Sequence, residues 1–97
     1  MLTHIVIWKY RDDVDEVTRE DHRNRLRKLP SLMDVDIKSF KVGADILHLE
    51  RSYHTGLVAV YADREALEAY TVHPEHQEVA KFGRSISAHV ASVDFED

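Results

Sequence analysis

The stretch Leu2-Thr3-His4-Ile5-Val6-Ile7-Trp8-Lys9-Tyr10 is dense in β-branched and aromatic residues, the composition of a strand packed on a pleated sheet. Successive side chains of a strand point to opposite faces. His4, Val6, Trp8 and Tyr10 therefore share one side, and Thr3, Ile5, Ile7 and Lys9 the other. Both sides are largely apolar. One layer of helices covers only one face of a sheet, so the second face needs another cover.

Working outward, Asp12 to Asp15 is a polar turn. A helix follows from about Glu16 to Leu29, with Asp15 or Thr18 as N-cap. Its apolar stripe is thin (Val14, Val17, Leu26 and Leu29), His22 lies on the side of Leu26, and Pro30 ends it. A second strand spans Val35 to Gly43, and a charged connection runs from Ala44 to Ser52. Tyr53 to Tyr61 is a third strand, with Thr55, Leu57, Ala59 and Tyr61 on one face. Asp63 caps a helix from Arg64 to about Thr71, whose inner side carries Ala66, Leu67 and Tyr70. Pro74 opens a further helix to about Ile86, and His89 to Phe95 is the last strand.

This β-α-β-β-α-β order predicts an α+β, ferredoxin-like domain over residues 1–97: a four-stranded antiparallel sheet with helices on one face. The bare face is expected to expose Val6, Trp8, Leu57, Ala59, Val90 and Tyr10. An apolar patch of that extent marks an interface. A second copy can cover it by two-fold packing of sheet against sheet. The expectation is a homodimer through the open sheet face, with a cavity between each sheet and its surroundings.

Composition narrows the function classes. The 97 residues carry 13 basic and 18 acidic side chains, a net charge of −5. No basic stripe appears, so nucleic acid is not an expected partner. Arg19, Arg23, Arg25, Arg27 and Lys28 cluster, but Glu16, Glu20 and Asp21 are interleaved with them and helical pairing explains the pattern. There is no cysteine, which excludes disulfides and thiolate metal sites. Apolar runs are too short to span a bilayer, and the start has no signal-peptide architecture, so a cytoplasmic setting is expected with no membrane partner. The three glycines are isolated, so no phosphate loop and no nucleotide cofactor are expected.

The chemistry concentrates in Tyr70-Thr71-Val72-His73-Pro74-Glu75-His76. Proline breaks the helix carrying Tyr70 and starts the next. His73 falls at the N-cap, and His76 falls in the first turn. The positive end of the helix dipole favours a neutral imidazole, which can accept a proton that a tyrosine nearby can give. His76 is the candidate base and Tyr70 the candidate acid. Either can equally be structural, with Tyr70 packed in the core and bonded to His76 or to backbone. His4, Val6, Trp8, His22, Leu26, Leu57, Ala59, His73, Val90 and Ser92 are the candidate ligand-pocket residues around them. His73 and His76 have a spacing that zinc ligands use, but no further ligand completes a set, so no metal is expected.

Four features together resemble the stress-responsive A/B barrel (Dabb) family of the dimeric α+β barrel superfamily. They are Thr3-His4-Ile5-Val6-Ile7, Val42-Gly43-Ala44-Asp45, the run Ala66 to Tyr70 leading into His73-Pro74-Glu75-His76, and Val93-Asp94-Phe95. The resemblance spans essentially the whole chain and implies ferredoxin-like protomers paired through their sheets. Many members of the family have no assigned chemistry. One plant member is a cofactor-free polyketide cyclase whose catalytic tyrosine and histidine fall on Tyr70 and His76, and whose first-strand histidine falls on His4. Its third-strand histidine is replaced here by Thr55, and its bulky first-helix aromatics by His22 and Leu26. The resemblance thus implies a small-molecule cavity without a cofactor, used for binding alone, for cyclase-like or isomerase-like acid/base chemistry, or for cofactor-free oxygenation.

Overall fold

The computed structural model describes residues 1–97. Strand β1 (Leu2–Tyr10) leads to helix α1 (Glu16–Lys28) and a short 3-10 turn (Leu29–Leu32). Strands β2 (Ile37–Ala44) and β3 (Thr55–Tyr61) follow, then helices α2 (Arg64–Val72) and α3 (Pro74–Ile86), and strand β4 (Ser87–Glu96). The four strands form one antiparallel sheet in the order β2-β3-β1-β4. This is the ferredoxin-like α+β fold, and β1 lies inside the sheet between β3 and β4.

Local chemistry sets the helix boundaries. The Asp15 carboxylate accepts the Thr18 N–H at 2.9 Å, and the Asp63 carboxylate accepts the Ala66 N–H at 2.9 Å. Each satisfies one of the orphan donors of a helix start. The break between α2 and α3 sits at Pro74. A residue before proline is pushed out of the helical region, and His73 has φ −63° and ψ 134°. Its N–H still bonds back to the Tyr70 carbonyl at 3.2 Å, while its ring Nδ1 accepts the Glu75 N–H at 3.1 Å. One residue therefore closes α2 and caps α3.

The main core lies between the sheet and the helices. Leu2, Trp8 and Tyr10 of β1 and Leu57, Ala59 and Tyr61 of β3 are buried there, against Leu26, Leu29, Tyr70, Val79 and Ile86. This corrects the expected assignment of faces. Val6, Trp8, Tyr10, Leu57 and Ala59 belong to the helix-covered face, not to the bare one. The register makes it so: Leu2 pairs with Tyr61, Val6 with Leu57 and Trp8 with Thr55, and partners across a ladder share a face. The bulky rings of Trp8, Tyr10 and Tyr61 are packed into the layer between sheet and helices. Val90 shares that side but lies on edge strand β4, where it remains 45% exposed. The bare face carries Ile5, Ile7, Val58, Val60, Ala91, Val93 and Phe95 by the same alternation. Val58, Val93 and Phe95 are 41%, 53% and 44% exposed. No helix is long and apolar enough to cross a membrane.

Candidate functional site

The break at Pro74 aims two rings at one space. Tyr70 ends the inner stripe of α2 and is buried. His76 stands in the first turn of α3, and the two ring centroids are 4.4 Å apart with their planes at 46°. His4 approaches from β1, its ring 6.3 Å from that of Tyr70. All three line a cavity of about 260 Å³ between the sheet and the helices. Val6, Trp8, Leu26, Leu57, Val90 and Ser92 also line it, together with Thr71, Ala80 and Arg84. The cavity is therefore on the helix side of the sheet.

The hydrogen bonds fix the tautomers. The only bond of the His76 ring runs from Nδ1 to the Thr71 carbonyl at 2.9 Å. A carbonyl only accepts, so Nδ1 carries the proton and Nε2 has a free lone pair. Burial above all, with a smaller contribution from the Arg84 guanidinium, holds the His76 imidazolium pKa below its ordinary value. The ring is a neutral base near pH 7. Burial likewise pushes the Tyr70 phenol far above its usual pKa, so it keeps its proton and remains a donor. Beside it, the Tyr61 hydroxyl is buried without a hydrogen-bond partner; burial first and Tyr70 second raise its pKa too. The His4 Nδ1 donates to the carboxylate of Asp94 on the neighbouring strand. That bond orients the imidazole and leaves its Nε2 unengaged.

Three expected pocket residues lie elsewhere. Ala59 is fully buried beneath the sheet side of the core. His73 is the α3 cap described above. His22 is fully buried in a separate polar cluster, where its Nδ1 donates to the Tyr10 hydroxyl at 2.7 Å. Tyr10 passes its proton toward Thr55 Oγ1 at 2.9 Å, and Thr55 Oγ1 also accepts from Arg23 at 3.0 Å. Arg23 is in turn bonded to Glu20 at 2.7 Å and to Glu16. The cluster meets the cavity wall at Trp8, whose ring lies edge-on to that of His22 at 5.1 Å.

Thr71, Ala80 and Arg84 escaped the sequence reading, although His76, Ala80 and Arg84 recur every four residues on α3, the spacing of one helical face. The pairing of Asp94 with His4 crosses almost the whole chain and has no local signal. A larger depression of about 570 Å³ lies along β2 and β3, lined by Ile7, Lys41, Tyr53 and Val58 among others. It contains no histidine. No group of three or more His, Asp or Glu side chains is disposed to hold a metal ion.

Comparisons with known proteins agree with this geometry at the level of fold. A family model described as the stress responsive A/B barrel domain matches residues 2–97. Among solved structures, a dimeric ferredoxin-like protein of unknown function from Thermobifida fusca is 25% identical, with a TM-score of 0.88 over 99% of this chain and 90% of that one. A second such protein, from Bacteroides fragilis, is 26% identical, with a TM-score of 0.85 over 99% of this chain and 95% of that one. A hydroxynitrile lyase from Passiflora edulis is 13% identical, with a TM-score of 0.85 over 97% of this chain and 90% of that one. None of the curated proteins matches the sequence.

Proposed function

The chain belongs to the stress-responsive A/B barrel domain family, and from that premise we propose that it binds a small, partly apolar molecule in the cavity between its sheet and its helices. The carrying observation is that Tyr70, His76 and His4 line one cavity whose other walls are mostly apolar. Apolar walls with a few convergent polar groups are the usual make-up of a small-molecule site. The same reading takes the protein as a homodimer. The bare face with Val58, Val93 and Phe95 exposed is the surface a second copy would cover, and the relatives from T. fusca and B. fragilis are described as dimeric.

Trp8 is the only tryptophan and lines the cavity, so its fluorescence reads occupancy. One-ring β-dicarbonyl compounds should quench it saturably in the wild type. Ala80→Leu fills the space beside His76 and should abolish the response while leaving the fold intact. Equal quenching by that variant would refute the cavity as the binding site. Sedimentation at micromolar concentration tests the dimer, and a species of 11.3 kDa would refute it.

A second reading is favoured by the protonation states of Tyr70 and His76: cofactor-independent acid/base chemistry of the isomerase or cyclase type. His76 Nε2 takes a proton from carbon next to a carbonyl. The C–H electron pair moves into the carbonyl, and the resulting enolate oxygen receives a hydrogen bond from the Tyr70 hydroxyl. Delivery of that proton to a different carbon of the conjugated enolate, or to the opposite face of the same carbon, completes an isomerisation. The check is deuterium exchange into the α-carbon of a bound β-dicarbonyl. His76→Ala should slow it about 100-fold without changing the circular dichroism; exchange at the wild-type rate would rule out the base.

A further inference from the structure

The charge on the cavity wall is opposite in sign to that of the molecule. The chain is acidic, with 18 carboxylates against 13 cations. Yet no aspartate or glutamate lines the cavity, and its one permanently charged lining group is Arg84. The other titratable lining groups are His4, Tyr70 and His76. Burial keeps the Tyr70 and His76 side chains neutral.

Arg84 is also free to serve a ligand. Arg11, Arg23, Arg25 and Arg27 each bond an acidic side chain of this chain; Arg84, like Arg19, Arg51 and Arg64, bonds none, and it alone of these arginines lines the cavity. It stands on the α3 face that also carries His76 and Ala80. The small Ala80 side chain between them leaves the space open. Eight helical steps separate His76 from Arg84, about 12 Å along the axis, and the flexible arginine arm shortens that span from its own end. Beyond Arg84 the cavity adjoins an outer groove that shares Thr71, His76, Ala80 and Arg84. The groove's Glu78 is accompanied by Lys81, so it adds no net negative charge.

We infer that the cavity recognises a small carboxylate-bearing molecule, a one-ring keto acid in size and class, whose carboxylate is held by Arg84 while its carbonyl lies toward Tyr70 and His76. This rests on the small-molecule reading of the same cavity. A guanidinium matches a carboxylate through two parallel N–H donors. An uncharged analogue of equal shape leaves that fork unused. Arg84 also acts on the base: its positive charge helps to hold the His76 pKa down, and a bound carboxylate cancels part of that effect.

The test is a matched pair, 3-oxo-3-phenylpropanoate and its primary amide, titrated by Trp8 fluorescence into the wild type and Arg84→Gln at low salt. The acid should bind the wild type about tenfold more tightly than the amide, as a single charge-assisted contact affords. Arg84→Gln should remove that advantage and leave the amide unchanged. Equal binding of acid and amide by the wild type overturns the inference, and so does a variant that weakens both alike. If the amide binds and Ala80→Leu blocks it while the acid has no advantage, the cavity reading stands and the carboxylate falls. If neither compound perturbs Trp8, both fall.

Discussion

Two tyrosine–histidine pairs lie along the seam between sheet and helices, and they are built oppositely. At the β1 end near α1, Tyr10 and His22 bond each other directly, and Thr55 and Arg23 complete the cluster. At the α2–α3 break, Tyr70 and His76 stack without a mutual hydrogen bond, and His76 is tied instead to backbone. In the first pair the phenol is bonded on both sides, to His22 and Thr55, while His22 Nε2 is buried without a partner. The second pair lines a cavity, and the His76 ring keeps one nitrogen without a protein partner. Residue type is the same in both. What separates the structural pair from the candidate site is whether the phenol already has hydrogen-bond partners and whether the pair lines a cavity.

The sharpest way to break that contrast is to remove each hydroxyl in turn. Tyr10→Phe leaves His22 and Thr55 each short of a partner in a buried place. It should destabilise the fold by roughly 3 kcal/mol, because an orphaned buried polar group loses its full desolvation penalty. Tyr70→Phe should change stability by less than about 1 kcal/mol. Urea unfolding of both variants measures this, and equal losses would mean that the two pairs are not different in kind.

Acid sharpens the comparison next. Burial above all, then Arg23 and Arg25, pushes His22 down to about 4, from about 6.5 in the unfolded chain. The unfolded state therefore binds more protons in that interval. Stability should be near complete above pH 6.5, and should fall by about 3 kcal/mol as pH drops to 4. His54 and His76 are also held low by burial and add slope of the same sign. His22→Leu should flatten the curve between pH 4 and 6.5 while leaving these residual contributions. An unchanged slope would show that His22 is solvated after all.

The smallest expected effect probes how tightly the sealed end is packed. A methyl group added at Gly83 would lie 2.7 Å from His22 Nε2 and 3.2 Å from Trp8 Nε1. His22 is pinned by Tyr10 and cannot yield freely. Gly83→Ala should destabilise by about 1–2 kcal/mol through overpacking. A neutral result in the same urea assay would show slack at that end.

How much of this was legible varies with the range of the determining contact. The helix starts at Glu16, Arg64 and Pro74 were readable because Asp15, Asp63 and the His73-Pro74 step act within three residues of themselves. The conjunction of Tyr70 and His76 was readable for the same reason. The burial of Arg23 was not, since its sequence neighbours Glu16 and Glu20 make it look like a surface charge, and only Thr55 across the seam brings it in. His22 shared a helix side with Leu26 as expected, but Tyr10 claimed it before any cavity could.

Sequence alone determined the order of elements, the break at Pro74, the family resemblance and the closeness of Tyr70 to His76, because short-range backbone chemistry and side-chain spacing carry those features. Tertiary structure alone decided which face of β1 meets the helices. Both faces are apolar, so alternation left the choice open, and the pairing of Val6 with Leu57 and Trp8 with Thr55 closed it. The bond between His4 and Asp94 and the enclosure of the cavity depend likewise on contacts between distant segments. No local pattern encodes them, since their energy exists only once the sheet and helices have packed.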